Sequence, residues 1–192
     1  LRYQIIKKTL NCFKKDSLCF HNGCCNASKT MYRCNMRQVT RKLSLRSCLI
    51  LHERYLSEGE KKLAYSVFGE ALQLEQIRIV AHRWVLKNYA ISPNGHIYFN
   101  IYNWCEDFSK ASLAKQSWLI HELTHVWQVQ QGMQVVLRAL LNRKYSYILK
   151  EGKTFFKYGI EQQASMVQDY FLKRAQGQDC QAYEYCIPFL KT

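Results

Sequence analysis

The stretch Leu119-Ile-His-Glu-Leu-Thr-His-Val-Trp-Gln128 decides how the chain is read. Two histidines stand four residues apart, and a glutamate directly follows the first. Leu119, Ile120, Leu123 and Val126 recur around them at helical spacing, so the segment is expected to be a buried helix. On a helix, positions i and i+4 lie one above the other on the same face. His121 and His125 can then aim their imidazole nitrogens at one ion, at about 2.0–2.1 Å for zinc. Glu122 sits about 100° further round. From there it can take a proton from a metal-activated water without binding the metal. Chance alone spells H-E-x-x-H in roughly 1% of chains of this composition, so its surroundings must carry the reading. The opposing reading is a pair of histidines satisfied by hydrogen bonds in a polar groove.

Working outward, this helix is expected over residues 112–131, with Gly132 as its stop. Upstream, Ser57-Glu-Gly-Glu60 is a capping box, with Leu56 as the staple before it. Leu63, Ala64, Val67 and Phe68 continue a helix that Gly69 ends. The period then changes. Ile77, Ile79 and Ala81 alternate within Gln76–Trp84 as in a strand, Ser92-Pro-Asn-Gly95 signals a turn, and His96–Tyr102 is a second strand rich in aromatic and β-branched residues. The span between the strands is too long for a tight hairpin. Residues 134–150 read as mostly helical and basic, and Ile160–Ala175 as a last helix set off by Gly159 and Gly177. No repeat or low-complexity linker divides the chain. The expected class is α+β: a mainly helical domain with a small β-sheet.

A catalytic zinc needs a third protein ligand and one open position. The sequence offers His52, His82, His96 and downstream carboxylates. Glu161 is preferred. It opens a helix 36 residues after His125, room for a return helix to pack on the first, and small Ala164 and Ser165 allow close approach. An acidic residue is also favoured at a helix N-terminus by the dipole alone. His96 is the alternative and would make a three-histidine site. Asp169, two turns beyond Glu161, is a candidate to orient His121 or His125. Tyr158 and Tyr170 are candidates to stabilise an oxyanion.

Bulk properties set the frame. The 192 residues suffice for one core-forming domain. No apolar run is long enough to span a membrane. The first residues lack both a Met and a signal-peptide core, so the chain is expected to be part of a longer protein. Residues 1–55 hold 12 Lys/Arg against 2 Asp/Glu, a net of +10, and the rest hold 16 against 12, a net of +4. Such a basic segment suits an acidic polymer, nucleic acid or anionic lipid as readily as solvent. No zinc-finger spacing or aromatic RNA motif points to a specific nucleic-acid reader. Six of the nine cysteines fall in the first 48 residues. That density suits disulfides in an oxidising compartment, and the odd total leaves at least one thiol unpaired. We therefore divide the chain into a basic, Cys-rich segment 1–50 and a domain 51–192.

His121-Glu-Leu-Thr-His-Val-Trp-Gln128, with the later Glu161-Gln-Gln-Ala164, resembles the zincin metallopeptidases whose third ligand is a glutamate. Further blocks strengthen the likeness: Leu56-Ser-Glu-Gly-Glu60, Ser66-Val-Phe-Gly69, Ser92-Pro-Asn-Gly-His-Ile-Tyr-Phe99, Asp107-Phe-Ser109 and Tyr158–Phe171. Together they are similar to the zinc-metallopeptidase effector domains at the C-termini of type VI secretion spike and Rhs-type toxin proteins. The resemblance spans residues 56–171. It implies a zincin-like domain with one Zn2+ per chain, held by His121, His125 and Glu161, and with Glu122 as general base. It also implies a secreted antibacterial toxin, carried by a secretion-system spike, acting in a target bacterium's periplasm on protein or peptidoglycan peptide, and countered by an immunity protein. Some members carry an Asp four residues after the third ligand; Ser165 stands there. Two further readings remain open: a zinc amidase cutting cell-wall peptide stems, and a basic, disulfide-linked binding domain whose metal is structural.

Overall fold

The computed structural model describes residues 49–141 and 144–190. The expectations for segment 1–50, including disulfides among its six cysteines, lie outside these residues except at Leu49 and Ile50.

Strand β1 (Ile50–Tyr55) leads into helix α1 (Glu58–Phe68). The capping box forms as the sequence specifies: Glu60 N donates to Ser57 Oγ at 3.1 Å, and Ser57 N donates to the Glu60 carboxylate at 2.8 Å. Gly69 ends the helix at φ 51°, a conformation that suits a residue without Cβ. Leu56, Ala64, Val67 and Phe68 are buried in the core.

Strands β2 (Arg78–His82), β3 (Ala90–Ile91) and β4 (Ile97–Phe99) complete a four-stranded sheet of order β1-β2-β4-β3. β2 pairs antiparallel with β1 and parallel with β4, and β3 closes antiparallel on the far side of β4. The absence of a tight β2–β4 hairpin thus has a cause, since the parallel pair needs a crossover. The alternation expected of Gln76–Trp84 is replaced by a strand buried on both faces: Ile79, Val80, Ala81 and His82 are all inside. A central strand has neighbours on both sides and material over both faces.

Helix α2 (Leu113–Gln130) carries the histidine motif and runs through the core. Every residue from Leu119 to Gln128 is buried. Helix α3 (Val135–Leu141) follows, then helix α4 (Ile160–Ala175), which packs along α2 in the most extensive helix pair among the described residues, and helix α5 (Gln181–Cys186). The expectation of helix through residues 134–150 is corrected: α3 ends at Leu141, and residues 144–150 run without helix. Their burial alternates. Tyr147 and Leu149 pack on the core, while Ile148 and Lys150 face outward. That is the period of an extended chain, as the aromatic and β-branched run Tyr-Ser-Tyr-Ile favours.

An ion-pair knot fixes the sheet to α1. Arg54 grips the fully buried Glu60 carboxylate with both terminal nitrogens, at 2.7 and 2.8 Å, and also reaches the Cys105 carbonyl. Phe108 N donates to the same carboxylate. Gly59 is required at this point, because a Cβ there would lie 2.1 Å from Ser109 Oγ. Among the described residues, Cys105 and Cys180 are free thiols.

Candidate metal centre

α2 and α4 bring three donors together. His121 Nε2 lies 3.5 Å and His125 Nε2 3.3 Å from the same oxygen, Glu161 Oε2. All three residues are buried. Among the described residues this is the one cluster of His, Cys, Asp or Glu side chains able to hold an ion. Glu161 Oε2 is buried yet has no hydrogen-bond partner, which is costly for a charged oxygen unless a cation completes it. Two donors on a tetrahedral zinc, each at about 2.05 Å, stand about 3.3–3.4 Å apart. The separations to Glu161 match that edge. The donor set of two imidazoles and one carboxylate suits zinc, so the residues fit the ion.

Electrostatics agree with the geometry. Burial opposes ionisation of Glu161, but its contacts with His121 and His125 outweigh burial and hold the carboxyl below the usual range. Burial likewise opposes protonation of His125, but Glu161, Glu122 and Gln128 prevail, and the imidazole is pushed up to about 9. The metal-free centre therefore draws in a proton where an ion would sit.

Amides orient the rings. Gln128 Nε2 donates to Ile160 O at 3.0 Å and to Gln163 Oε1 at 2.9 Å, so its oxygen must face His125 Nδ1, 2.9 Å away. Gln163 in turn donates to Tyr158 O. Gln168 Nε2 donates to Ser117 Oγ, and its oxygen lies 3.0 Å from His121 Nδ1. With both Nδ1 atoms donating to amide oxygens, the Nε2 atoms are the ones turned to the centre. Glu122 stands beside the cluster and outside it, and its Oε2 accepts from Ser92 Oγ at 2.8 Å.

Three expected helpers lie elsewhere. Residue 168 is about 20° from residue 161 round α4, whereas residue 169 is about 80° away. Gln168 thus takes the orienting place expected of Asp169, whose carboxylate accepts from Tyr147 Oη instead. Tyr170, nine residues beyond Glu161, falls about 180° round the helix, where its hydroxyl meets Arg174. The Tyr158 phenol donates to Ile148 O at 2.9 Å and accepts from Lys150 N, so it anchors the extended segment. The aromatic ring that does reach the centre is the half-exposed Tyr145, with its centroid 6.2 Å from that of His121. The alternative ligand His96 contacts Arg78 at 3.0 Å, and His52 stacks on Trp104.

No family model matches the chain. A solved structure does: the effector domain of Pseudomonas aeruginosa VgrG2b superposes with a TM-score of 0.61 at 40% identity, covering 69% of this chain and 80% of that one. The chain belongs to the VgrG2b effector-domain family. The type VI secretion system spike protein VgrG2b of Pseudomonas aeruginosa is 43% identical over 133 residues, which are 63% of this chain and 13% of the spike protein. This VgrG2b-type domain therefore spans about an eighth of that relative's length. Among its described residues, no helix is long and apolar enough to cross a membrane.

The residues of the domain that sequence reasoning missed share one property. Ser92, Gln128, Gln163, Gln168 and Tyr145 work through contacts between elements. Gln128 alone carried a local signal, three residues after His125 on the same helix face.

Proposed function

We propose that this VgrG2b-type domain is a zinc-dependent peptidase. The observation that carries the reading is the buried, unsatisfied Glu161 Oε2 facing both histidine Nε2 atoms at tetrahedral-edge distance. His121, His125 and Glu161 would hold the ion, leaving one of four positions open. A zinc ion so held would supply Lewis acidity, bringing the pKa of a water down to about 7. Glu122, buried beside the cluster, would serve as the proton acceptor for that water and the proton donor to the leaving amine. Gln128 and Gln168 keep both imidazoles in one tautomer through the cycle.

Family membership extends the proposal to delivery. The domain would travel as cargo of a type VI spike, act as an antibacterial toxin in the target's periplasm, and be met by an immunity protein in the producer. Its substrate would be a protein or the peptide of peptidoglycan. The +10 charge of residues 1–55 suits an anionic envelope.

The test has two parts. Elemental analysis should find one zinc per chain, removed by a chelator together with peptide hydrolysis. Glu122→Ala should keep the zinc, lose on the order of 10²–10⁴-fold in hydrolysis and no longer kill from the periplasm. A Glu122→Ala protein that hydrolyses and kills like the parent would overturn the proposal. Digests of unfolded protein beside purified peptidoglycan separate a proteinase from an amidase.

A further inference from the structure

Glu122 adjoins a ligand in sequence, lies in the same buried region as the cluster, and is nevertheless not part of it. Its carboxylate is a second anionic donor, after Glu161, set beside an ion site that needs one open position. Helix geometry turns its Cβ about 100° away from that of His121, but a glutamate has three further rotatable bonds with which to swing back. One contact opposes that swing. Ser92 Oγ donates to Glu122 Oε2 at 2.8 Å, and both side chains are buried, at 5% and 4% exposure.

Ser92 is itself held firmly. It directly follows the edge strand β3, whose Ile91 pairs with Tyr98 of β4. Pro93 comes next and restricts Ser92 to extended backbone. The hydroxyl is therefore presented from the sheet, while Glu122 is presented from α2. The bond joins the two layers at the carboxylate.

We propose that Ser92 is a positioning residue that holds Glu122 in its proton-accepting place and keeps it from becoming a fourth ligand. The inference rests on the peptidase reading above for its kinetic consequence, but its coordination consequence stands on metal binding alone. With Oε2 engaged by the hydroxyl, proton transfer falls to the other carboxylate oxygen. Without the hydroxyl, the carboxylate turns to the cation and closes the open position.

The experiment uses the full chain loaded with Co2+, whose visible absorption reports coordination number and ligand charge. Parent, Ser92→Ala, Ser92→Thr and Ser92→Ala/Glu122→Gln are compared, with folding checked by circular dichroism. The Ser92→Ala spectrum should differ from the parent's, Ser92→Thr should restore it, and the double variant should abolish the difference, because an amide is a poor ligand. In the zinc forms, kcat of Ser92→Ala should fall about tenfold or more with KM little changed, and Ser92→Thr should recover most of it. A folded Ser92→Ala with the parent's cobalt spectrum and kcat would overturn the proposal, as would a loss confined to KM. A parent that binds metal yet cleaves no peptide would overturn the peptidase reading, and the cobalt spectra would still decide the role of Ser92.

Discussion

Two buried glutamates open helices in this domain, and their surroundings differ completely. Glu60 lies in the first turn of α1 and Glu161 in the first turn of α4. The Glu60 oxygens accept from Arg54 twice, from Ser57 N and from Phe108 N. The Glu161 Oε2 has no well-formed hydrogen bond and faces only two imidazoles, at 3.3 and 3.5 Å. A carboxylate placed for stability has its lone pairs filled by the chain. One left short in a dry site is what the proposed ion would complete. The helix dipole serves both equally and so cannot be what distinguishes them.

The contrast can be broken by exchanging the two losses. Glu60→Gln leaves Arg54 against a neutral partner and should cost about 3–5 kcal/mol of stability, read by urea denaturation, with full zinc in the folded fraction. Glu161→Gln should lower zinc affinity on the order of 100-fold or more, read by competition with a chelating dye. In the metal-free form this variant should also lose some stability at pH 7, because the protonated His125 then faces a neutral partner. If Glu60→Gln lost zinc and Glu161→Gln lost only stability, the assignment of roles would be reversed.

Smaller effects sharpen it. Removing an orienting amide, by Gln128→Ala or Gln168→Ala, should weaken zinc about 10–100-fold with the ligands intact. Asp169→Asn, by contrast, should leave zinc affinity unchanged and cost about 1 kcal/mol through the Tyr147 hydrogen bond. Equal zinc losses in Asp169→Asn and Gln168→Ala would contradict the placement of these neighbours. Acidity gives the last check. In the metal-free centre His125 is pushed up to about 9, so it holds a proton at pH 7 that zinc must expel. Loading should release about one proton per chain at pH 7 in weak buffer, and apparent affinity should fall about tenfold per pH unit below 9. A pH-independent affinity between 6 and 8 would mean that His125 is not a ligand.

Whatever repeats along one element was legible in the sequence. The His121–His125 pair, the capping box at Ser57 and the span of α4 each follow from spacing within a helix. Glu161 was reachable because it opens an element of the right length and distance. Relations between elements were not. Ser92 meets Glu122 only when a sheet edge is laid on α2, and a turn signal says nothing of where its hydroxyl points. β3 has two residues and no period of its own. β1, His52-Glu-Arg-Tyr55 included, is a charged edge strand whose pattern resembles a loop. Asp169, the expected orienting residue, lies about 80° from Glu161 round α4, and Gln168, at about 20°, is the side chain that reaches His121.

The most direct measurement is X-ray absorption at the zinc edge of the purified chain. The proposed centre of His121, His125 and Glu161 predicts one zinc with nitrogen and oxygen neighbours only, two of them imidazoles, and loss of that signal in His121→Ala and Glu161→Gln. Sulfur neighbours, or a signal unchanged in those variants, would put the metal among the cysteines and contradict the account.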